Sequence, residues 1–241
     1  MHRSIATLIA ACGLAGCHAH AEDGGPTVSR NYQIANFQKI EVVGPYDVDV
    51  RTGSVASVSA RGGEKLLERT RVEVRGDKLI IRPKEHHGFF NWNWNWSSGG
   101  KADFVVTVPQ LSAATTTGSG DIRIDRVAGQ EFEGTVAGSG GLDVGDVEVQ
   151  SLKLAIAGSG SAKAAGGKTQ AGKYEIAGSG DVDAGAVQAQ QLKISIAGAG
   201  NVKAHASGTA DVSIIGSGDV DVAGGAKCTV NKTGSGDVRC S

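Results

Sequence analysis

All three tryptophans of the chain fall in one short stretch, at Trp92, Trp94 and Trp96, where they alternate with Asn91, Asn93 and Asn95 and follow Phe89 and Phe90. In an extended backbone successive side chains point to opposite sides, so the indoles would share one side and the amides the other. Indole rings stack on sugar faces and settle at the headgroup layer of a membrane. Phe89, Phe90, Trp92, Trp94 and Trp96 are therefore the candidate binding residues. The same residues would serve without a ligand if they covered an exposed part of the core, paired as a hairpin, or formed a variable insertion.

A second set is acidic. Asp121, Asp181, Asp219 and Asp237 each follow a glycine directly, and carboxylate oxygens are the natural ligands of calcium. Glycine-rich solenoids of the repeats-in-toxin kind hold calcium on a Gly-Gly-x-Gly-x-Asp unit that recurs about every nine residues. Here the column recurs at 18 to 20 residues and is interrupted by Gly141, Ser161 and Asn201. Short side chains that cap turn amides account for the whole column, so no metal and no cofactor is assigned.

Catalysis finds little support. A glycosidase needs two carboxyl groups roughly 5 to 10 Å apart, and one of them must hold a proton. Asp183 and Asp221 alternate along the repeat with basic residues that would keep them ionised, the wrong state for a general acid. His205 stands alone, and no serine or cysteine has a base at a recognisable spacing. The chain reads as non-catalytic.

These residues hang on a repeat. A Gly-Ser-Gly turn begins at Gly118, Gly138, Gly158, Gly178, Gly198, Gly216 and Gly234, with Ala199 replacing serine in the fifth copy, so the spacing is 20 residues and then 18. A fixed period of this size marks a solenoid. Four residues before the glycine stand Ala114, Gly134, Leu154, Tyr174, Ile194, Val212 and Val230. Two before stand Thr116, Val136, Ile156, Ile176, Ile196, Ile214 and Lys232, and four after stand Ile122, Leu142, Ala162, Val182, Val202, Val220 and Val238. Apolar columns two residues apart, alternating with polar ones, predict two short strands joined at the corner with their even positions inward.

The fifth position after the glycine reads Arg123, Asp143, Lys163, Asp183, Lys203, Asp221 and Arg239, a sign change at every step. Parallel strands stacked about 4.8 Å apart would give each charge opposite neighbours, and a slip of one coil would set like signs together. Cys228 and Cys240 stand six residues before and after Gly234, in columns otherwise held by Phe132, Leu152 and Leu192 and by Ile124, Val144 and Val222. Both should face inward in the last coil, as a disulfide where the compartment is oxidising or as two buried thiols.

The first residues read as an export signal. Met1, His2 and Arg3 precede an apolar run over residues 5–14 that is too short to span a bilayer as a helix. The run ends in Leu14-Ala15-Gly16-Cys17, which resembles a bacterial lipobox with Cys17 as the lipidated residue; Ile9-Ala10-Ala11-Cys12 is a second match. His18 after the cysteine, by resemblance to the lipoprotein sorting pattern, implies the outer membrane. Cleavage as a plain secreted protein is the alternative. The formal charge of −1 argues against nucleic acid, which would need a basic face.

Between them lies a less regular β region. Gly44 stands in the place of the later turns, with Val48 and Val50 in the inward columns; Gly76-Asp77 reads as a hairpin turn between strands at residues 71–74 and 78–81. Residues 64–69 read as one helical turn, and residues 104–108 as a strand stopped by Pro109. Phe37-x-x-Ile40-x-Val42-x-Gly44-x-x-Asp47-Val48-x-Val50, then Leu79-x-Ile81, Val106-x-Val108-Pro109-x-Leu111 and Gly118-Ser119-Gly120-Asp121 together resemble the head GIN domain family of auto-transporter adhesins. The resemblance spans residues 37–241. It implies an all-β right-handed parallel β-helix, a single-stranded solenoid, in an exported bacterial protein, and it implies no reaction.

The expected organisation is a lipoprotein signal peptide over residues 1–16, a lipidated tether over 17–30, an irregular N-terminal β region over 31–110, and a regular β-helix over 111–241. The expected role is a non-catalytic cell-envelope lipoprotein. It would be anchored to the membrane by lipid and meet an envelope glycan or surface protein through its charged faces and tryptophan loop. A purely structural envelope element without a soluble ligand is the first alternative and a polysaccharide-active enzyme the second. The oligomeric state and the exposure to periplasm or exterior are not legible.

Overall fold

A computed structural model describes residues 25–84 and 102–241, and these form a β-solenoid of about six turns. The irregular end comprises β1 (Thr27–Tyr32), β2 (Lys39–Val43), β3 (Asp47–Thr52), β4 (Ser57–Gly63), α1 (Glu64–Arg69), β5 (Thr70–Arg75), β6 (Lys78–Pro83) and β7 (Ala102–Val108). The regular end comprises β8 (Ala113–Gly118), β9 (Ile122–Gly138), β10 (Gly141–Gly158), β11 (Ser161–Ala164), β12 (Gly167–Gly178), β13 (Asp181–Gly198), β14 (Val202–Gly216), β15 (Val220–Ala223), β16 (Lys227–Gly234) and β17 (Val238–Cys240).

Strand is not confined to two short arms around each corner. In β10 it runs for 18 residues, nearly a whole coil. Leu142, Val144, Val147, Val149, Leu152, Leu154 and Ile156 are buried there. The alternation breaks at Gly145-Asp146 and at Gln150-Ser151, where two successive residues stay out of the core. Each break bends the chain without ending its hydrogen-bond ladder, and with the Gly-Ser-Gly corner the coil has three sides. Each inward leucine or isoleucine removed from water contributes roughly 1.5 to 3 kcal/mol, so the stack is held by its long, thin core.

Coils pair in parallel, residue on equivalent residue: Leu142 lies beside Ile122 and Ala162, and Leu154 beside Gly134 and Tyr174. At the corners the middle residue of each turn donates its backbone N–H to the first glycine carbonyl one coil earlier, as from Ser159 to Gly138, Ser179 to Gly158 and Ala199 to Gly178, each at 2.9 Å. Backbone makes this bond, which is why Ala199 substitutes for serine without loss. The first glycine has no alternative: Gly178 sits at φ +134°, and a Cβ there would lie 2.2 Å from the Gly158 carbonyl oxygen.

Two glycines in inward columns are filled by neighbours. A Cβ on Gly134 would meet the leucine methyls of Leu142 and Leu154 beside the Phe132 ring, and one on Gly172 would meet Leu192 and the Tyr174 hydroxyl. The large rings two residues away occupy the space that the glycine leaves. At both ends of the isoleucine column a polar side chain takes over, and each binds the last glycine carbonyl of its own turn, Thr116 to Gly120 at 2.9 Å and Lys232 to Gly236 at 2.5 Å.

The irregular end closes the stack. β2 and β3 flank Gly44 and form the coil beneath β8 and β9, in parallel register. On their far side come β6 and β7, also parallel, and then the direction reverses: β5 on β6, β4 on β7 and β1 on β4 are antiparallel. Tyr46 and Phe104 meet edge to face with centroids 5.6 Å apart, Thr70 donates to the Tyr46 hydroxyl at 3.0 Å, and Leu66 and Leu67 of α1 are buried beside them. An antiparallel layer leaves no open parallel edge for another coil. β1 starts at Thr27, so the chain is already structured within the stretch read as a tether up to residue 30. It is held there by six antiparallel register positions against β4.

Candidate functional site

The aromatic candidates Phe89, Phe90, Trp92, Trp94 and Trp96, like Cys12 and Cys17 of the export signal, lie outside the described residues. The two points that flank the aromatic stretch are fixed. β6 ends where Lys84 donates to the Arg69 carbonyl at 2.7 Å, and β7 begins at the buried Ala102 opposite Gly62. Both belong to the antiparallel cap.

The predicted charge ladder is in register on the side that follows the Gly-Ser-Gly corner. Pairing runs Asp49, Arg123, Asp143, Lys163, Asp183, Lys203, Asp221, Arg239 without a break. Adjacent rungs nonetheless close no ion pair. Arg123 instead reaches Asp121, in the turn just before its own strand, at 3.4 Å. An exposed pair of this kind is worth at most about 1 kcal/mol, so register alone does not oblige the rungs to clasp. Ion pairs between coils close elsewhere. Lys153 binds Glu133 at 2.6 Å and lies 3.9 Å from Glu175, which Lys173 holds at 2.8 Å; Arg126 binds Glu148 at 2.8 Å. The hydrogen bond to Glu133 holds the Lys153 ammonium above its ordinary range.

The turn carboxylates act between coils. Asp47 accepts the backbone N–H of Asp121, Asp121 that of Gly141, Asp181 that of Asn201, Asn201 that of Asp219, and Asp219 that of Asp237, at 2.8 to 3.2 Å. The column caps turn amides, but always those of the next coil. Asn201 fits because its amide oxygen accepts as a carboxylate does, while its NH2 group donates back to Asp181 at 2.9 Å.

A further column escaped the reading by inward positions and charge. Gln110, Gln130, Gln150, Gln170 and Gln190 recur every 20 residues, eight before each turn glycine, at the corner between the second and third sides. Gln110 spends its amide on the Ala128 carbonyl at 3.3 Å. The amides of Gln130, Gln150, Gln170 and Gln190 hydrogen-bond to no described residue, and all four side chains are exposed. They form a wall between two furrows. One, of about 420 Å3, runs along Glu131, Ser151, Ala171 and Gln191. The other, of about 530 Å3, has a floor of Val149, Thr169 and Ala189 and a far wall of Glu148, Lys168 and Gln188. Thr169 and Ser207 bind the Gln150 and Ala189 carbonyls with their hydroxyls. The wall stops at Gln190, where the pairing of β13 with β14 shifts register and the coils shorten to 18 residues. Recurrence of one residue type at the repeat period was the available signal.

At the open end Cys228 and Cys240 are joined as a disulfide with Cα atoms 6.7 Å apart. The bridge is not enclosed: Cys228 is half-buried and Cys240 exposed, and their coil is paired on one side, with β14 and β15. Val230 is exposed there for the same reason.

Register, corner and surface together define a parallel β-solenoid that displays its outward side chains as continuous columns along the axis. The family model described as "Putative auto-transporter adhesin, head GIN domain" matches residues 36–226, and the chain belongs to that family. The fold is shared with solved structures, of which three follow. One described as a putative adhesin, from Bacteroides fragilis, superposes with a TM-score of 0.79 at 19% identity and covers 91% of this chain and 99% of its own. One described as a putative lipid binding protein, from Parabacteroides distasonis, has a TM-score of 0.71 at 23% identity, with coverage of 91% and 98%. A putative adhesin from Parabacteroides merdae has a TM-score of 0.67 at 17% identity, with coverage of 92% and 98%. No curated protein matches the chain.

Proposed function

We propose that the protein is a non-catalytic, lipid-anchored envelope scaffold whose business is contact with other molecules. The family's description as an adhesin and the adhesin or lipid-binding descriptions of its structural neighbours support this reading. The observation that carries it is the surface itself: one regular lattice of columns in register over successive coils, which suits an extended partner that repeats its contacts. Cys17 would carry the lipid and hold the solenoid at the outer membrane. Trp92, Trp94 and Trp96, with Phe89 and Phe90, would meet glycan or lipid from the capped end of the solenoid. A disulfide at the last coil fits an oxidising compartment outside the cytoplasm.

Replacing Trp92, Trp94 and Trp96 together by alanine tests the aromatic contact. Binding of the full chain to envelope glycans and to phospholipid vesicles should fall at least tenfold. Unchanged binding to both would remove the loop from the interface. A purely structural role is favoured instead if the unaltered protein binds neither and its deletion weakens the envelope.

A further inference from the structure

We propose that the glutamine wall is a track for a neutral, linear, β-linked glycan, laid along the solenoid axis with about one sugar per coil. This rests on the reading of the protein as an interaction scaffold and names a ligand class and a place for it.

Within the repeat, outward polar positions vary freely from coil to coil. The position two before the wall runs Ala128, Glu148, Lys168, Gln188, and the one after it Glu131, Ser151, Ala171, Gln191. Outside the turn only the wall keeps one polar residue type in all four coils. Among the described residues no contact accounts for that constancy, since none of the four amides bonds to a described residue and the bend at this corner accepts Gly208 in the following coil. Four uncommitted amides remain, each an acceptor and a double donor.

Their spacing is that of stacked strands, about 4.8 Å per step. An extended β-linked pyranose chain advances by nearly the same distance per sugar, and its hydroxyls both donate and accept as the amides do. Glu131 borders one furrow, and Glu148 and Lys168 border the other. This mixed lining, close to neutral, disfavours a polyanion. A peptide strand would need free backbone groups, but the corner carbonyls of Gln150 and Ala189 are taken by Thr169 and Ser207. A slender hydroxylated chain fits between the walls.

The test uses the full chain with cello-oligosaccharides and chito-oligosaccharides of two to six sugars, a polygalacturonate fragment as anionic control, and calorimetry or saturation-transfer NMR as the readout. Affinity should rise with length up to four or five sugars and then level off. Gln150→Ala with Gln170→Ala should weaken it by roughly fivefold for each amide removed, with the unfolding midpoint unchanged. Gln110→Ala should leave affinity alone, because that amide is already engaged. The proposal is overturned if neither neutral series binds, if the anionic fragment binds as tightly, or if the double variant binds normally. A double variant that changes the sedimentation state instead would identify the wall as a self-association surface and also overturn it. If glycan binding survives loss of the wall but disappears in the tryptophan variant, the interaction reading stands and the track does not.

Discussion

A graded set of glycine-to-alanine changes tests whether the corners, and not composition alone, fix the stack. At Gly166 an added Cβ meets nothing within 4 Å and the backbone has no positive φ. Gly166→Ala should be neutral or should stabilise by up to about 1 kcal/mol through the unfolded chain. Gly76 has φ +63° and equal space, so Gly76→Ala should cost about 1 kcal/mol for the left-handed conformation alone. Gly178 combines φ +134° with a Cβ position 2.2 Å from the Gly158 carbonyl oxygen. Backbone strain there is roughly 1 to 3 kcal/mol. Relief of the contact must also pull the turn off its neighbours and weaken the 2.9 Å bonds from Ser179 to Gly158 and from Ala199 to Gly178, roughly 1 kcal/mol each. Gly178→Ala should therefore destabilise by roughly 3 to 5 kcal/mol. Guanidinium unfolding gives the totals, and native-state hydrogen exchange locates the loss, which in a linear stack should centre on β12 and β13. A Gly178→Ala protein within about 1 kcal/mol of Gly166→Ala would refute the stacked-corner account.

Opening the disulfide by Cys228→Ser with Cys240→Ser releases a short loop of 12 residues' separation and should cost about 3 kcal/mol; a melting midpoint and β16–β17 exchange rates both equal to wild type would contradict this. Tyr174 is buried, its hydroxyl has no hydrogen-bond partner among the described residues, and burial pushes the phenol well above its ordinary 10.0. The unfolded chain titrates near pH 10 while the folded one keeps the proton, so stability is full below pH 10 and falls above it by up to roughly 1.4 kcal/mol per pH unit. Tyr174→Phe should be neutral or stabilising at pH 7 and should flatten the alkaline decline, as urea melts from pH 8 to 11 would show.

The regular half was legible because every coil states the same pattern again. Apolar residues at fixed offsets from each glycine fixed the inward columns, and the same offsets carried back to Gly44, Val48 and Val50 found the coil that precedes Gly118. The hairpin at Gly76-Asp77 and the turn of helix at Glu64–Arg69 were local, so local signals sufficed. The long-range part of the antiparallel cap was not legible: β1 reads Thr-Val-Ser-Arg-Asn-Tyr, a weak alternation whose partner β4 starts only at Ser57, and only the assembled end of the core decides that pairing. The glutamine wall was missed because its amides serve neither core nor charge balance, the two properties by which columns were sorted. Ion pairing shifted from the ladder to Lys153 and Arg126 because the reach of long side chains, and not strand register alone, decides which charges meet.

The alternation of sign along the first side gives the solenoid a parity. Cut out one coil, and Arg123 would face Lys163, with like charges about 5 Å apart and roughly 1 kcal/mol of repulsion even in water. Excise residues 141–180 as a pair of coils, and Arg123 would face Asp183 with each turn still seated on its neighbour. Lengthening or shortening by duplication should therefore proceed two coils at a time, so that relatives of differing length would differ by even numbers of rungs.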